Sequence, residues 1–299
     1  MIGKFDELTD RVKAHPVRRR VVVAAAHDAH ALEAVLKAHA EGIMDYTLVG
    51  DRERILSEGR GMGYVIEPTS IVEAAGDQEA AFKAVELIRL GKGDFLMKGR
   101  METGILLREV VNKETGIGKG GVMSHLCILQ IPTYHKIVGF SDGGMIVNPD
   151  FTQKVSLLEN ALGLFRGLGY THPKVAVVAA VETMNPKMPE TKDGAELKKM
   201  AQAGKLGDCY VEGPISFDLI FSKEAAKIKG FESPVTGDVD LVIVPNLAVG
   251  NIMTKALICL GGALMAGCVL GAKVPIVLSS RSASYEEKFY SLMLCATQA

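Results

Sequence analysis

The 299-residue chain lacks an excess of either charge: 34 Lys and Arg stand against 35 Asp and Glu, a formal net of −1. That balance excludes a broad electrostatic footprint for nucleic acid or an anionic membrane surface. Any bound anion must be held by local cations or helix N-termini. Cysteine is sparse and unpatterned. Cys127, Cys209, Cys259, Cys268 and Cys295 are odd in number and free of C-x-x-C spacing. Most lie in apolar runs such as Leu126-Cys127-Ile128, the setting of buried reduced thiols, and a reducing cytoplasmic location is expected. A long apolar run is also missing. The richest stretch, between Lys255 and Lys273, contains four glycines and falls short of the roughly 20 residues that span a bilayer. It reads as a buried helix leading into a buried strand. Met1 to Val17 carries charges throughout and has no apolar stretch of the kind a signal peptide needs. There is no fixed-period repeat and no low-complexity linker.

What the chain does contain is an alternation of short apolar runs with longer segments of helical period. Strands are expected at Arg20–Ala26, Tyr46–Gly50, Asp94–Met97, Leu126–Ile131, Lys174–Ala179, Asp208–Val211, Asp240–Pro245 and Pro275–Ser279. Helices are expected at Ala29–Ala40, Ile71–Leu90, Phe151–Leu168, Gly194–Ala203 and Leu247–Leu260. Strands such as Val21 to Ala26 are continuously apolar, as strands covered on both faces are. The pattern predicts an α/β fold of two lobes, with parallel-rich sheets covered by helices and a cleft between the lobes. Residues 1–120 with about 276–299 would form the first lobe and residues 121–275 the second.

Several motifs bear on chemistry. Gly116-Ile117-Gly118-Lys119-Gly120-Gly121 matches G-x-G-x-x-G, but a dinucleotide site needs a strand before it and a helix after it. Here Gly104 to Lys113 reads as helix and Val122 onward as strand, so an interdomain loop is expected. No P-loop is present. In His27-Asp28-Ala29-His30 the histidines could share a helix face as metal ligands, but a third ligand is missing. Asp28 reads as a helix N-cap. Three strand-to-loop transitions carry polar residues: Val181 to Pro189, Glu212 to Asp218 (with Pro214) and Pro245 to Asn251 (with Asn246). The last transition, Ser279-Ser280-Arg281-Ser282-Ala283-Ser284 before Tyr285-Glu286-Glu287, is the sharpest. An arginine there can hold a phosphate through paired N–H groups. Serine hydroxyls and a helix start can stabilise an oxyanion. A serine-rich helix cap with a solvated arginine is the alternative.

Taken in order, AAVETMNPKMP (Ala179 to Pro189), EGPISFD (Glu212 to Asp218), GDVDLVIVPNLAVGN (Gly237 to Asn251) and GAKVPIVLSSR (Gly271 to Arg281) resemble the phosphate acetyl/butyryl transferase family. The butyryl branch is the nearer. Ser141 to Met145 and Asn148 to Asp150 also resemble family segments. The resemblance implies a fold similar to isopropylmalate dehydrogenase, with the site in the interdomain cleft. It implies a homodimer, with the second lobe as the dimerisation lobe. The implied reaction is acyl-CoA plus phosphate giving acyl phosphate plus CoA, by direct transfer in a ternary complex, with no metal and no organic cofactor. Arg281 would hold the phosphate, and Ser280, with Ser279, would bond the thioester oxygen. Arg108 would face the cleft, and Pro214, Asn246 and Asn251 would contribute to substrate binding. The acetyl branch has an Asp six residues after the arginine, where this chain has Glu287, whereas the butyryl branch has its Glu where Glu286 stands. The two point about 100° apart on a helix, so one of them is expected to serve as base. A phosphate acetyltransferase, a nicotinamide-dependent dehydrogenase of the same fold and a non-catalytic homologue are the alternatives.

Overall fold

The computed structural model describes residues 2–280 and 283–299. The chain divides into two compact units. One comprises Phe5–Gly121 and Ala266–Ala299. The other comprises Met1–Lys4 and Val122–Met265.

The first unit runs α1 (Phe5–Lys13), β1 (Arg20–Ala24), α2 (Ala29–Ala40), β2 (Asp45–Gly50), α3 (Arg52–Gly61), β3 (Ile71–Glu73), α4 (Asp77–Arg89), β4 (Phe95–Lys98) and α5 (Thr103–Val110). The second holds β5 (Ser124–Gln130), β6 (Ile137–Ser141), α6 (Phe151–Gly167), β7 (Lys174–Val178), α7 (Pro189–Gln202), β8 (Tyr210–Ile215), α8 (Phe217–Phe221), α9 (Lys223–Lys229), β9 (Leu241–Ile243) and α10 (Leu247–Cys259). Most of β10 (Leu264–Leu270), then β11 (Ile276–Val277) and α11 (Tyr285–Ala296), complete the first unit.

In the first unit the strand order is β3-β2-β1-β4-β11-β10. All neighbours are parallel except β10 and β11, which pair antiparallel through Val269 and Ile276. Val21 to Ala24 of β1 are fully buried, as a central parallel strand requires. The chain runs outward from β1 to β3 and then returns to β4 on β1's other side. Their C-terminal ends therefore flank a topological switch point, where α/β sheets bind ligands. The backbone is tightly drawn there. Gly99 N donates to Ala24 O at 2.8 Å and Arg100 N to Ala25 O at 2.9 Å. A Cβ at position 99 would lie 2.1 Å from Ala25 O. Ala25 itself adopts φ 53°, a left-handed conformation uncommon for a residue with a Cβ. This is why β1 stops at Ala24 rather than continuing to Ala26.

The second unit has the order β5-β6-β9-β7-β8, parallel except for the β5–β6 hairpin. Its core gathers Leu129, Phe140, Ala176, Ile215, Leu219 and Val242.

Three expectations are corrected. The segment expected as one helix from Ile71 to Leu90 is strand β3 followed by α4. Ile71 and Val72 pair with Leu48 and Val49, and Gly76 at φ 88° turns the chain between the two elements. The apolar helix before Lys273 is not buried: in α10 only Gly250 and Thr254 are. Cys259, near its end, is exposed, while Cys127, Cys268 and Cys295 are buried.

Candidate active site

The parallel strands of the first unit end on one edge, and the Ser279 segment leaves that edge from β11. Ser279 is 5% exposed, and its Oγ is sealed from solvent with no hydrogen-bond partner among the described residues. Ser280 is exposed, and its carbonyl accepts the Ala283 N–H at 3.2 Å. Arg281 lies outside the described residues. Ser284 caps α11, accepting the Glu287 N–H at 3.2 Å.

The two glutamates differ sharply. Glu286 is exposed, and its own backbone N–H and Ser284 hold its carboxyl below the ordinary range. Glu287 is withdrawn from solvent. Burial raises its pKa to about 7, and the positive charge of Lys288 offsets only part of that effect. Its Oε1 is buried with no hydrogen-bond partner among the described residues. A carboxyl poised near neutrality can both accept and release a proton in working conditions.

The start of α2 fastens this segment. Asp28 caps α2 by accepting the Ala31 N–H at 2.8 Å and also accepts from Lys288 Nζ at 3.1 Å. His30 Nδ1 lies 3.1 Å from Ala283 O, so an Nδ1–H tautomer donates there. The His27/His30 pair is thus split: His30 positions the serine segment, while His27 faces away into a pocket beyond β1.

Sequence reasoning missed Lys98. It is 4% exposed at the end of β4, and its ammonium donates to Gly99 O and Met101 O, each at 3.2 Å. A lysine closing the otherwise apolar run Phe95-Leu96-Met97 was the available signal. Arg108 stands exposed in the last turn of α5. The G-x-G-x-x-G stretch lacks the strand-to-helix setting. It follows α5 and precedes β5, and both Ile117 N and Gly118 N donate to Val110 O at 2.9 Å.

In the second unit, the loop after β6 is organised by Asp142, which accepts backbone N–H groups of His125, Gly144 and Met145 at 2.7–2.9 Å. His125, also missed from sequence, is buried, and that burial lowers its pKa. Asn246 caps α10 by accepting the Val249 N–H at 3.0 Å. Asn251 Nδ2 donates to Gly143 O at 3.2 Å. Pro214 is buried in β8, so close to α7 that a Cβ on Gly194 would lie 2.9 Å from its nitrogen. Ser216 donates to Glu182, and Lys229 bridges Glu182 and Asp218 at 3.1 Å each. The acidic groups of the first two rim loops are thus largely tied to one another. Among the described residues no group of three or more His, Cys, Asp or Glu side chains could hold a metal ion.

The family model described as Phosphate acetyl/butaryl transferase matches residues 76–296. The chain belongs to that family. It is 38% identical to phosphate butyryltransferase of Clostridium acetobutylicum over 299 residues, covering 100% of this chain and 99% of the relative. It is 40% identical to phosphate acetyltransferase of Thermotoga maritima over 281 residues, covering 94% and 95% of the two chains. The crystal structure of a branched-chain phosphotransacylase from Enterococcus faecalis superposes with a TM-score of 0.82 at 31% identity, covering 94% and 98%.

Proposed function

We propose that the chain is a phosphate acyltransferase converting a short linear or branched acyl-CoA and phosphate into acyl phosphate and CoA. The observation that carries the reading is Glu287: a largely buried carboxyl with a pKa of about 7, in the first turn of the helix that follows Ser279 and Ser280. Arg281 holds the phosphate, one oxygen of which attacks the thioester carbonyl carbon. Ser280, with Ser279, donates to the carbonyl oxygen as it gains charge. The C–S bond breaks and Glu287 delivers its proton to the departing sulfur. In reverse, Glu287 takes the thiol proton, because a thiol with a pKa of about 8.5 is only a few per cent ionised at pH 7. Arg108, Pro214, Asn246 and Asn251 remain assigned to substrate binding by the family resemblance. No metal or organic cofactor enters this scheme.

Ser282 and Ala283, where the acetyl branch has Gly and Cys, favour the butyryl branch. The likeness to the Thermotoga maritima acetyltransferase supports acetyl-CoA as the second reading. One methylene changes discrimination by only about 1–3 kcal/mol. We place the enzyme in the cytoplasm, a reducing compartment in which free thiols such as the buried Cys127, Cys268 and Cys295 persist. We also propose a homodimer formed through α10, where Ile252 is 69% exposed and Leu260, just beyond the helix, 89%.

The test is thiol release from acetyl-, butyryl- and isobutyryl-CoA with and without phosphate. Phosphate-dependent release is expected, fastest with a four-carbon acyl group. No such release from any of the three rejects the reaction, and acetyl-CoA ranking first selects the second reading.

A further inference from the structure

Lys98 closes β4 on the edge that carries Ser279 and Ser280, and the acyl and proton transfers leave it unused. Register fixes how near it is. Val277 of β11 pairs with Met97 of β4, so Lys98 comes beside Leu278, one residue before Ser279. With strands about 4.8 Å apart and a rise of about 3.3 Å per residue, the Lys98 and Ser279 backbones lie roughly 6 Å apart. On its other side Lys98 is level with Ala24 of β1, a small neighbour.

The lysine is 4% exposed, and its Nζ donates to Gly99 O and Met101 O at 3.2 Å each. Both acceptors are neutral carbonyls. These two bonds therefore fix the position of the ammonium without cancelling its charge. Taking an ammonium out of water is costly. A neutral amide carries two donors and could bridge two carbonyls without that cost. The charge thus has a use of its own, beyond holding the turn.

That turn has further features of an anion seat. α5 begins at Thr103 with no side-chain bond from its cap residue, Glu102, so first-turn N–H groups are open to an acceptor. A Cβ on Gly104 would meet nothing within 4 Å, which leaves the helix start accessible. Glu102 is exposed, so water screens its charge, whereas the sealed Lys98 acts through a medium of lower dielectric. Phosphate at neutral pH carries more than one negative charge. The guanidinium of Arg281, assigned to it by the family resemblance, offsets only one. A lysine ammonium is a compact point charge suited to the remainder.

We propose that Lys98 is a further residue of the phosphate subsite, its ammonium set against the phosphate oxygens together with Arg281. In the forward direction it holds the charged oxygens while one of them attacks the carbonyl carbon. In reverse it stabilises the phosphate that departs from the acyl group. The proposal rests on the phosphate acyltransferase reading.

Lys98→Gln keeps donors for the two carbonyls and removes the charge, so the fold should be spared, which far-UV circular dichroism checks. It should raise KM for phosphate about ten-fold or more, the worth of a hydrogen bond to a charged group, and leave KM for butyryl-CoA unchanged. In reverse, KM for butyryl phosphate should rise by a similar factor and KM for CoA should not. Lys98→Ala should show the same split. Added n-propylammonium, which replaces the missing end of the side chain, should lower its KM for phosphate again. Propan-1-ol, of similar shape without the charge, should not. An unchanged KM for phosphate, parallel rises for phosphate and butyryl-CoA, or equal rescue by the alcohol makes Lys98 a support of the turn and overturns the assignment. Absence of phosphate-dependent thiol release by the unsubstituted enzyme instead defeats the reaction itself, so the two failures are distinguishable.

Discussion

Lys288 Nζ lies 3.1 Å from Asp28 Oδ1, with the lysine side chain 2% exposed and the aspartate 18%. This contact joins the first turn of α11 to the start of α2, two helices far apart in sequence, and sits next to Glu287. Removing one member of a buried pair costs about 3–5 kcal/mol when the other charge stays buried. Asp28→Ala strands the ammonium and removes a helix cap, so a loss of that size is expected in urea unfolding at pH 7. Lys288→Met leaves a carboxylate that is partly exposed and still accepts the Ala31 N–H, so it should cost less. Burial opposes ionisation of Asp28, but the Ala31 N–H and Lys288 outweigh it and depress its pKa. Its contribution is therefore present above the unfolded pKa of about 3.9 and lost as pH falls through the depressed value. Equal costs for the two substitutions would contradict this account.

A second ion network secures the starts of β6, β7 and β9 in the other unit. Lys136, 9% exposed, reaches Asp240 Oδ1 at 2.5 Å and Asp238 Oδ1 at 2.8 Å. Asp238 also pairs with Lys174. Asp240 is 2% exposed, and burial pushes its pKa up despite Lys136. Burial also works against ionisation of Asp238, but Lys136, Lys174 and His135 hold its pKa well below the ordinary carboxylate range. Lys136→Met should destabilise the protein by about 3–5 kcal/mol, because it leaves the Asp240 charge buried. Lys136→Met/Asp240→Asn should recover part of that loss. Chemical denaturation of the single and double variants checks both, and no recovery would show that the Asp240 charge is not the cause.

The α/β class and most strands were legible because a continuous apolar run as short as Val21 to Ala26 suits a strand buried on both faces and little else. What escaped was decided by partners distant in sequence. Ile71 and Val72 carry the same apolar signal in a helix as in a strand, and only the neighbouring β2 makes them a strand. The apolar character of α10 was legible, but its exposure was not, because composition does not say which face finds a partner. At the candidate site, the Asp28 cap could be read from local spacing. The contrast between Glu286 and Glu287 could not, since their burial depends on how α11 lies on the sheet. Lys98 and His125 were overlooked because each sits at the end of an apolar run, where a polar residue passes as a strand terminus.

The proposed dimer makes a prediction about α10. Ile252 and Leu260 are largely exposed, so replacing them does not disturb the core of the unit. Ile252→Glu should halve the mass measured by light scattering at micromolar concentration and leave far-UV circular dichroism unchanged. An unchanged dimeric mass would place the interface elsewhere. A monomeric unsubstituted protein would dispose of the dimer altogether.

The pH dependence of Glu287 distinguishes a base from a bystander. The acyl-phosphate-plus-CoA direction is the informative one, because inorganic phosphate itself titrates near neutrality and blurs the other. In that direction the base must be ionised, so kcat/KM should rise with pH through an apparent pKa of about 7. Glu287→Gln should lower the rate by roughly 10²–10⁴-fold and abolish that limb, whereas Glu286→Gln, altering an exposed side chain, should stay near the unsubstituted rate. Stability should move the opposite way. A carboxyl whose pKa rises from 4.5 to about 7 on folding favours the fold below pH 4.5 and progressively loses that advantage as pH climbs through 7. Above that point the buried charge costs on the order of 3 kcal/mol. Glu287→Gln should therefore stabilise the protein at pH 8 more than at pH 5, while removing its activity at both. A variant that keeps its rate, or whose stability gain is the same at both pH values, would return Glu287 to the role of an ordinary helix residue.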